Sequence, residues 1–106
     1  MKAKLTTLVE ALDRLPTEEG KRFATLVGVG DFSLEIYAPR GRDPQQPHTR
    51  DEIYIVARGS GEFVRDDERV AFAEGDVLFV AAHVPHRFEN FSDDFVTWVI
   101  FYGEER

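Results

Sequence analysis

Residues 41–59 read GRDPQQPHTRDEIYIVARG, and this stretch decides the reading of the chain because it sets Gln46, His48 and Glu52 at the mouth of an apolar strand. In extended backbone, residues an even number apart project to the same side, so these three side chains converge there. The strand predicted over 53–58 is rich in β-branched and aromatic residues, and the turn signal Gly59-Ser60-Gly61 closes it.

Further along, residues 75–90 read GDVLFVAAHVPHRFEN. The apolar run 77–82 has strand length, Val84-Pro85 breaks it, and 86–90 alternates in an extended manner with His86, Phe88 and Asn90 on one face. Two of the chain's three histidines therefore occupy matching strand-edge segments, one of them four residues before a carboxylate. Two neutral imidazoles and a carboxylate suit borderline divalent metals, and three ligands on one face leave coordination positions open. Gln46 either adds a weak carbonyl donor or is a solvated loop amide. A structural zinc site would more readily use cysteine, and the chain has none.

The spacing Gln46-x-His48-x3-Glu52-x6-Gly59 resembles the first motif of the cupin family, in which an H-x-H pair, a glutamate and a glycine stand at these intervals. Gly75-x5-Ala81-x-His83-x2-His86-x3-Asn90 is similar to the second, G-x5-P-x-G-x2-H-x3-N. Gln46 stands where the family has a histidine, Ala81 where it has proline, and His83 where it has glycine. The resemblance implies an all-β double-stranded β-helix, a jelly-roll barrel, and a homodimer. It also implies one divalent ion, iron, manganese, nickel or zinc, on His48, Glu52 and His86, a set like the facial triad of non-haem iron oxygenases.

The remaining sequence supplies the rest of such a barrel. Leu5, Leu8, Val9 and Leu12 follow helical spacing behind a Thr7/Glu10 capping box, and Pro16 ends the pattern. Strands are expected over 23–27 and 32–37, separated by the turn Gly28-Val29-Gly30-Asp31, with Phe32, Leu34 and Ile36 on one face and Glu35 and Tyr37 on the other. A hairpin over 62–73 turns at Asp66-Asp67. Residues 95–102, apolar on both faces, predict a central or dimer-facing strand. Some eight or nine short strands make one domain over 1–106, with helix and turn in 1–20 and barrel in 22–102.

Composition narrows the functions. Thirteen basic against 20 acidic residues give a net charge of −7, which repels phosphate backbones and argues against nucleic acid. No run approaches a membrane span, and the first residues lack the apolar region of a signal peptide, so a cytoplasmic protein is expected. Tyr54, Phe88, Tyr37 and Trp98 are candidate pocket walls, and Arg50 and Arg87, which flank the ligands in sequence, are either solvated or placed to attract an anionic substrate. His83 and Asn90 are expected to serve turns. The functional expectation is a small metal-binding barrel that acts on or binds a small oxygenated organic molecule. The alternative is a non-catalytic binder of a sugar-like ligand, with or without metal, and no general base can be named from sequence.

Overall fold

The computed structural model describes residues 3–106. After a short helix α1 (Leu8–Leu12) come eight strands: β1 (Phe23–Val29), β2 (Phe32–Tyr37), β3 (Asp51–Arg58), β4 (Ser60–Arg65), β5 (Glu68–Ala73), β6 (Val77–Val80), β7 (His86–Glu89) and β8 (Val96–Tyr102). They form two antiparallel sheets, one of five strands in the order β1-β2-β8-β3-β6 and one of three in the order β5-β4-β7.

Period-two alternation decides what each sheet buries. On β3, Glu52, Tyr54 and Val56 point inward and are buried, while Ile53 and Ile55 face out. Val80 on β6 and Val99 and Phe101 on β8 join them from the same sheet, and Phe63, Phe72 and Phe88 come from the other, closing one aromatic core. Strand β8 lies between β2 and β3, the central place that its two apolar faces suit.

The chain passes from the large sheet to the small one at Gly59. Its φ of +87° admits glycine readily, and a Cβ there would meet the backbone of Phe95 at 2.7 Å. The turn expected at Gly59-Ser60-Gly61 is therefore narrower, with Ser60 and Gly61 already in β4. The first hairpin is also tighter than expected: β1 runs on through Gly28 and Val29, because Gly30 at φ +59° and Asp31 suffice to turn the chain.

Helix α1 begins as its capping box requires, with the Thr7 side chain accepting the Glu10 N–H at 3.1 Å. Its buried stripe differs from the expected one. In a single turn only Leu8, Ala11, Leu12 and, beyond the helix, Leu15 reach the outer face of the large sheet near Ala24, Ile36 and Trp98, whereas Leu5 and Val9 stay exposed. No helix among the described residues is long and apolar enough to cross a membrane.

Candidate metal centre

Glu52, the second residue of β3, points into the barrel and is 1% exposed. His86 opens β7 on the facing sheet, and its Nε2 lies 2.8 Å from Glu52 Oε1. His48 reaches in from the loop before β3, its Nε2 3.8 Å from the same oxygen. One ligand atom from each of the three falls within 4.8 Å of the others. The two sequence segments are fastened together by backbone: His83 N–H donates to His48 O at 2.6 Å, and Ala82 N–H to Asp51 Oδ1 at 2.9 Å. His83 adopts φ +70° in that turn, and its ring contacts the Arg106 carbonyl oxygen away from the cavity.

A fourth donor comes from Gln45. Its Oε1 lies 3.2 Å from His48 Nε2 and 3.3 Å from His86 Nε2, and it accepts the Tyr54 hydroxyl at 3.0 Å. Gln46, placed with His48 and Glu52 by the even-spacing argument, is exposed and lines the cavity farther out. The argument fails because residues 43–48 form no strand, so side chains there do not alternate. Asp43 selects Gln45 instead: its Oδ2 accepts the Gln45 amide at 2.6 Å and the Phe88 N–H at 2.9 Å, while Oδ1 accepts the Tyr37 hydroxyl.

The protons show what this cluster is short of. His86 Nδ1 lies 2.8 Å from the Val84 carbonyl oxygen, which fixes a proton on Nδ1 and leaves Nε2 of the neutral ring as an acceptor. Nε2 then faces only other acceptors, and both carboxylate oxygens of Glu52 are buried without a donor. A buried group left this way is costly unless a proton or a cation satisfies it. Burial opposes charge on His86, but in the protonated ring the Nε2 proton meets Glu52 and the Nδ1 proton the Val84 carbonyl, and these bonds outweigh burial and hold its pKa above the ordinary histidine value. His48 moves the other way, lowered mainly by burial. Donor separations of 2.8 to 3.8 Å are those of atoms sharing one ion at bonds of about 2.0–2.2 Å. The residues present fit a divalent metal.

A cavity of about 660 Å³ opens from this cluster, with Tyr37, Tyr54, Val99, Phe101 and Glu35 among its lining residues. Phe88 packs against Tyr54 at 4.8 Å in the core and does not reach the cavity. Trp98 sits on the outer face of β8 with Ala57 and Ile36, because its neighbours Val99 and Phe101 hold the inward positions. Arg87 pairs with Glu89, and Arg50 lies over the Phe101 ring with its amino groups on Asp31 and Ser33. Asn90, at φ +51°, leaves the strand face and donates to Glu62 at 2.6 Å.

Glu35 escaped the sequence reading of the site. Desolvation raises its pKa, against the Thr25 hydrogen bond. Its signal was present in the alternation of β2, which put it on the Tyr37 face.

Two packed antiparallel sheets with a cluster of histidine, carboxylate and amide groups inside define a small jelly-roll barrel. The chain belongs to the cupin domain family, whose profile matches residues 33–102. An uncharacterized protein of Streptomyces coelicolor is 37% identical over 75 residues, 71% of this chain and 69% of that one. The HTH-type transcriptional activator RhaS of Yersinia pestis is 36% identical over 69 residues, which are 65% of this chain and only 25% of the activator. A Cupin 2 conserved barrel domain protein from Salinispora arenicola superposes with TM-score 0.72 at 22% identity, covering 97% of this chain and 91% of that one, and so shares the fold.

Proposed function

We propose that this chain is a metal-dependent cupin that acts on a small oxygenated organic molecule. His48, Glu52 and His86 hold one divalent ion, iron, manganese, nickel or zinc, and Gln45 Oε1 is a weaker fourth donor in the role first considered for Gln46. The observation that carries this reading is the buried Glu52 carboxylate, whose Oε1 faces Nε2 of both histidines and which has no proton donor among the described residues while both rings are neutral. When bound, the ion supplies Lewis acidity and open positions for an oxygen ligand. Tyr37, Val99 and Phe101 wall the cavity against water, and Glu35, a carboxyl whose burial favours the protonated form, is placed to hold or deliver a proton.

The test is elemental analysis of protein purified without chelator, beside His86→Ala and His48→Ala. About one metal ion per chain in the wild type, lost in both variants, is the expected outcome. A wild type that takes up none of the four metals on reconstitution sinks the reading.

The likeness to part of a transcriptional activator supports a second reading, a binding barrel whose occupant is sensed and not transformed. The same cavity serves both; turnover of a bound ligand separates them. In either case the barrel pairs with a second copy of itself through the bare outer face of β3 and β6.

A further inference from the structure

The cavity that opens onto His48 and Glu52 is lined by four cations, Lys21, Arg22, Arg40 and Arg42. Acidic residues outnumber basic ones by 20 to 13 in this chain, and most other arginines find a partner: Arg65 on Glu68, Arg69 on Glu62 and Glu89, Arg87 on Glu89, Arg106 on Asp51. The four at the cavity make no salt bridge among the described residues. In an acidic protein, gathering unpaired like charges is electrostatically uphill and focuses positive potential on one opening.

The arrangement is built and not a chance of long side chains. Arg22 precedes β1 and Ala38 follows β2, so the two ends of the hairpin meet: Ala38 N–H donates to Arg22 O at 2.9 Å, and Arg22 Nε donates back to Ala38 O at 2.8 Å. That second bond fixes the guanidinium and leaves its two terminal amino groups with no protein acceptor among the described residues. Arg40 lies two residues on, and Arg42 N–H bonds the Arg40 carbonyl at 2.8 Å, which curls the three arginines onto one side. Burial, and after it the neighbouring Arg40 charge, pulls Arg22 below its usual pKa, as expected of guanidinium groups held together. Among the described residues the carboxylates lining the cavity are Glu35 and Glu52; burial favours the neutral form of the first, and the second belongs to the proposed metal site.

We propose that the cavity selects a small organic oxyanion. A carboxylate or phosphate is gripped by Arg22, Arg40 and Arg42 at the mouth, and the body runs past Tyr37, Val99 and Phe101 toward His48 and Glu52. Guanidinium groups match the planar, two-oxygen face of such anions, and the cavity volume of about 660 Å³ lies within the usual range for small-molecule sites. The proposal deepens the metal-dependent reading by naming the class of molecule at that site, and it rests on that reading for the ligand's inner end.

The experiment is ligand-observed NMR titration of the full chain, metal-loaded and chelator-treated, with three matched probes: glucuronate, glucose 6-phosphate and neutral glucose. Glutarate and neutral glutaramide form a second matched pair. At least one anion is expected to bind at least tenfold more tightly than its neutral counterpart, with affinity falling as salt rises. The Arg22→Gln/Arg40→Gln variant is expected to lose that preference, and Arg42→Gln, on an exposed loop, to weaken it with folding preserved by circular dichroism. A carboxylate preference without a phosphate one, or the reverse, identifies the source of the oxyanion. Equal binding of charged and neutral probes, anion binding unchanged in both variants, or no binding of any probe overturns the proposal. Metal content measured on the same samples keeps the two ideas apart: bound metal without anion preference removes this inference alone, and anion preference in a chain that takes up no metal removes the metal centre alone.

Discussion

The amide oxygen of Gln45 stands 3.3 Å from Nε2 of His86, a residue 41 positions further along the chain. The contact joins the loop before β3 to the first residue of β7, and it makes Gln45 a part of the donor set.

Replacing Gln45 tests that membership. Gln45→Ala is expected to weaken metal affinity roughly tenfold or more, the range in which groups at a metal site act, while Gln45→Glu retains or tightens it. Chelator competition measures both, and the cobalt-substituted protein should show an altered visible spectrum in Gln45→Ala. Gln46→Ala leaves affinity and spectrum unchanged. Equal effects of the two alanine variants would contradict the assignment.

Glu35 gives a pH signature. Its pKa is raised from the ordinary value of 4.5 by burial, so the folded chain binds its proton more tightly than the unfolded chain does. Above the folded pKa the buried charge costs stability; as pH falls toward the unfolded value that cost disappears. Glu35→Gln should therefore stabilise the metal-free protein in urea at neutral pH, and the gain should vanish below about pH 4.5. A gain independent of pH would point to packing instead. If Glu35 moves a proton during turnover, the same variant keeps its metal and loses activity.

The outer face of the large sheet predicts assembly. Ile53 stands opposite Phe79 and Ile55 opposite Val77, and Val77, Phe79 and Ile55 are 65%, 44% and 37% exposed. Helix α1 covers only the far part of this face, near Ala24 and Trp98. A bare apolar surface of this kind is expected to dock a second copy. Light scattering should give a dimer for the wild type and a monomer for Phe79→Lys, with the barrel still folded; a monomeric wild type would count against it.

Gly59→Ala is expected to destabilise the fold by about 1–3 kcal/mol from its positive φ, and by more because the added methyl meets the Phe95 backbone. Thermal unfolding measures the loss. Gly28→Ala, whose new methyl meets nothing within 4 Å, serves as the reference.

Much of this was legible in the sequence where a period held. The strand β2, the capping box at Thr7 and the inward face of β3 follow from alternation or spacing, β5 from its turn and β8 from its apolar run, and the structure brings His48, Glu52 and His86 together from segments that the sequence singled out. What had no period could not be read. The choice of Gln45 over Gln46 depends on an Asp43 contact across an irregular loop, and the cation cluster depends on the two ends of the β1–β2 hairpin meeting. Trp98 marks a different failure: on a strand apolar on both sides, alternation separates two faces without saying which one lines the cavity.

Asp43 couples the two sheets through the loop before β3. One carboxylate is tied to Tyr37 on the large sheet, to Phe88 N–H on the small sheet, and to the Gln45 amide between them. The loop is thus a latch whose single fastening also aims a donor. A local opening that released Asp43 would withdraw Gln45 and widen the approach to the cluster while leaving the barrel beneath intact. Exchange of a ligand held there would then be timed by that opening, so that its residence and the unfolding of the protein would follow separate clocks.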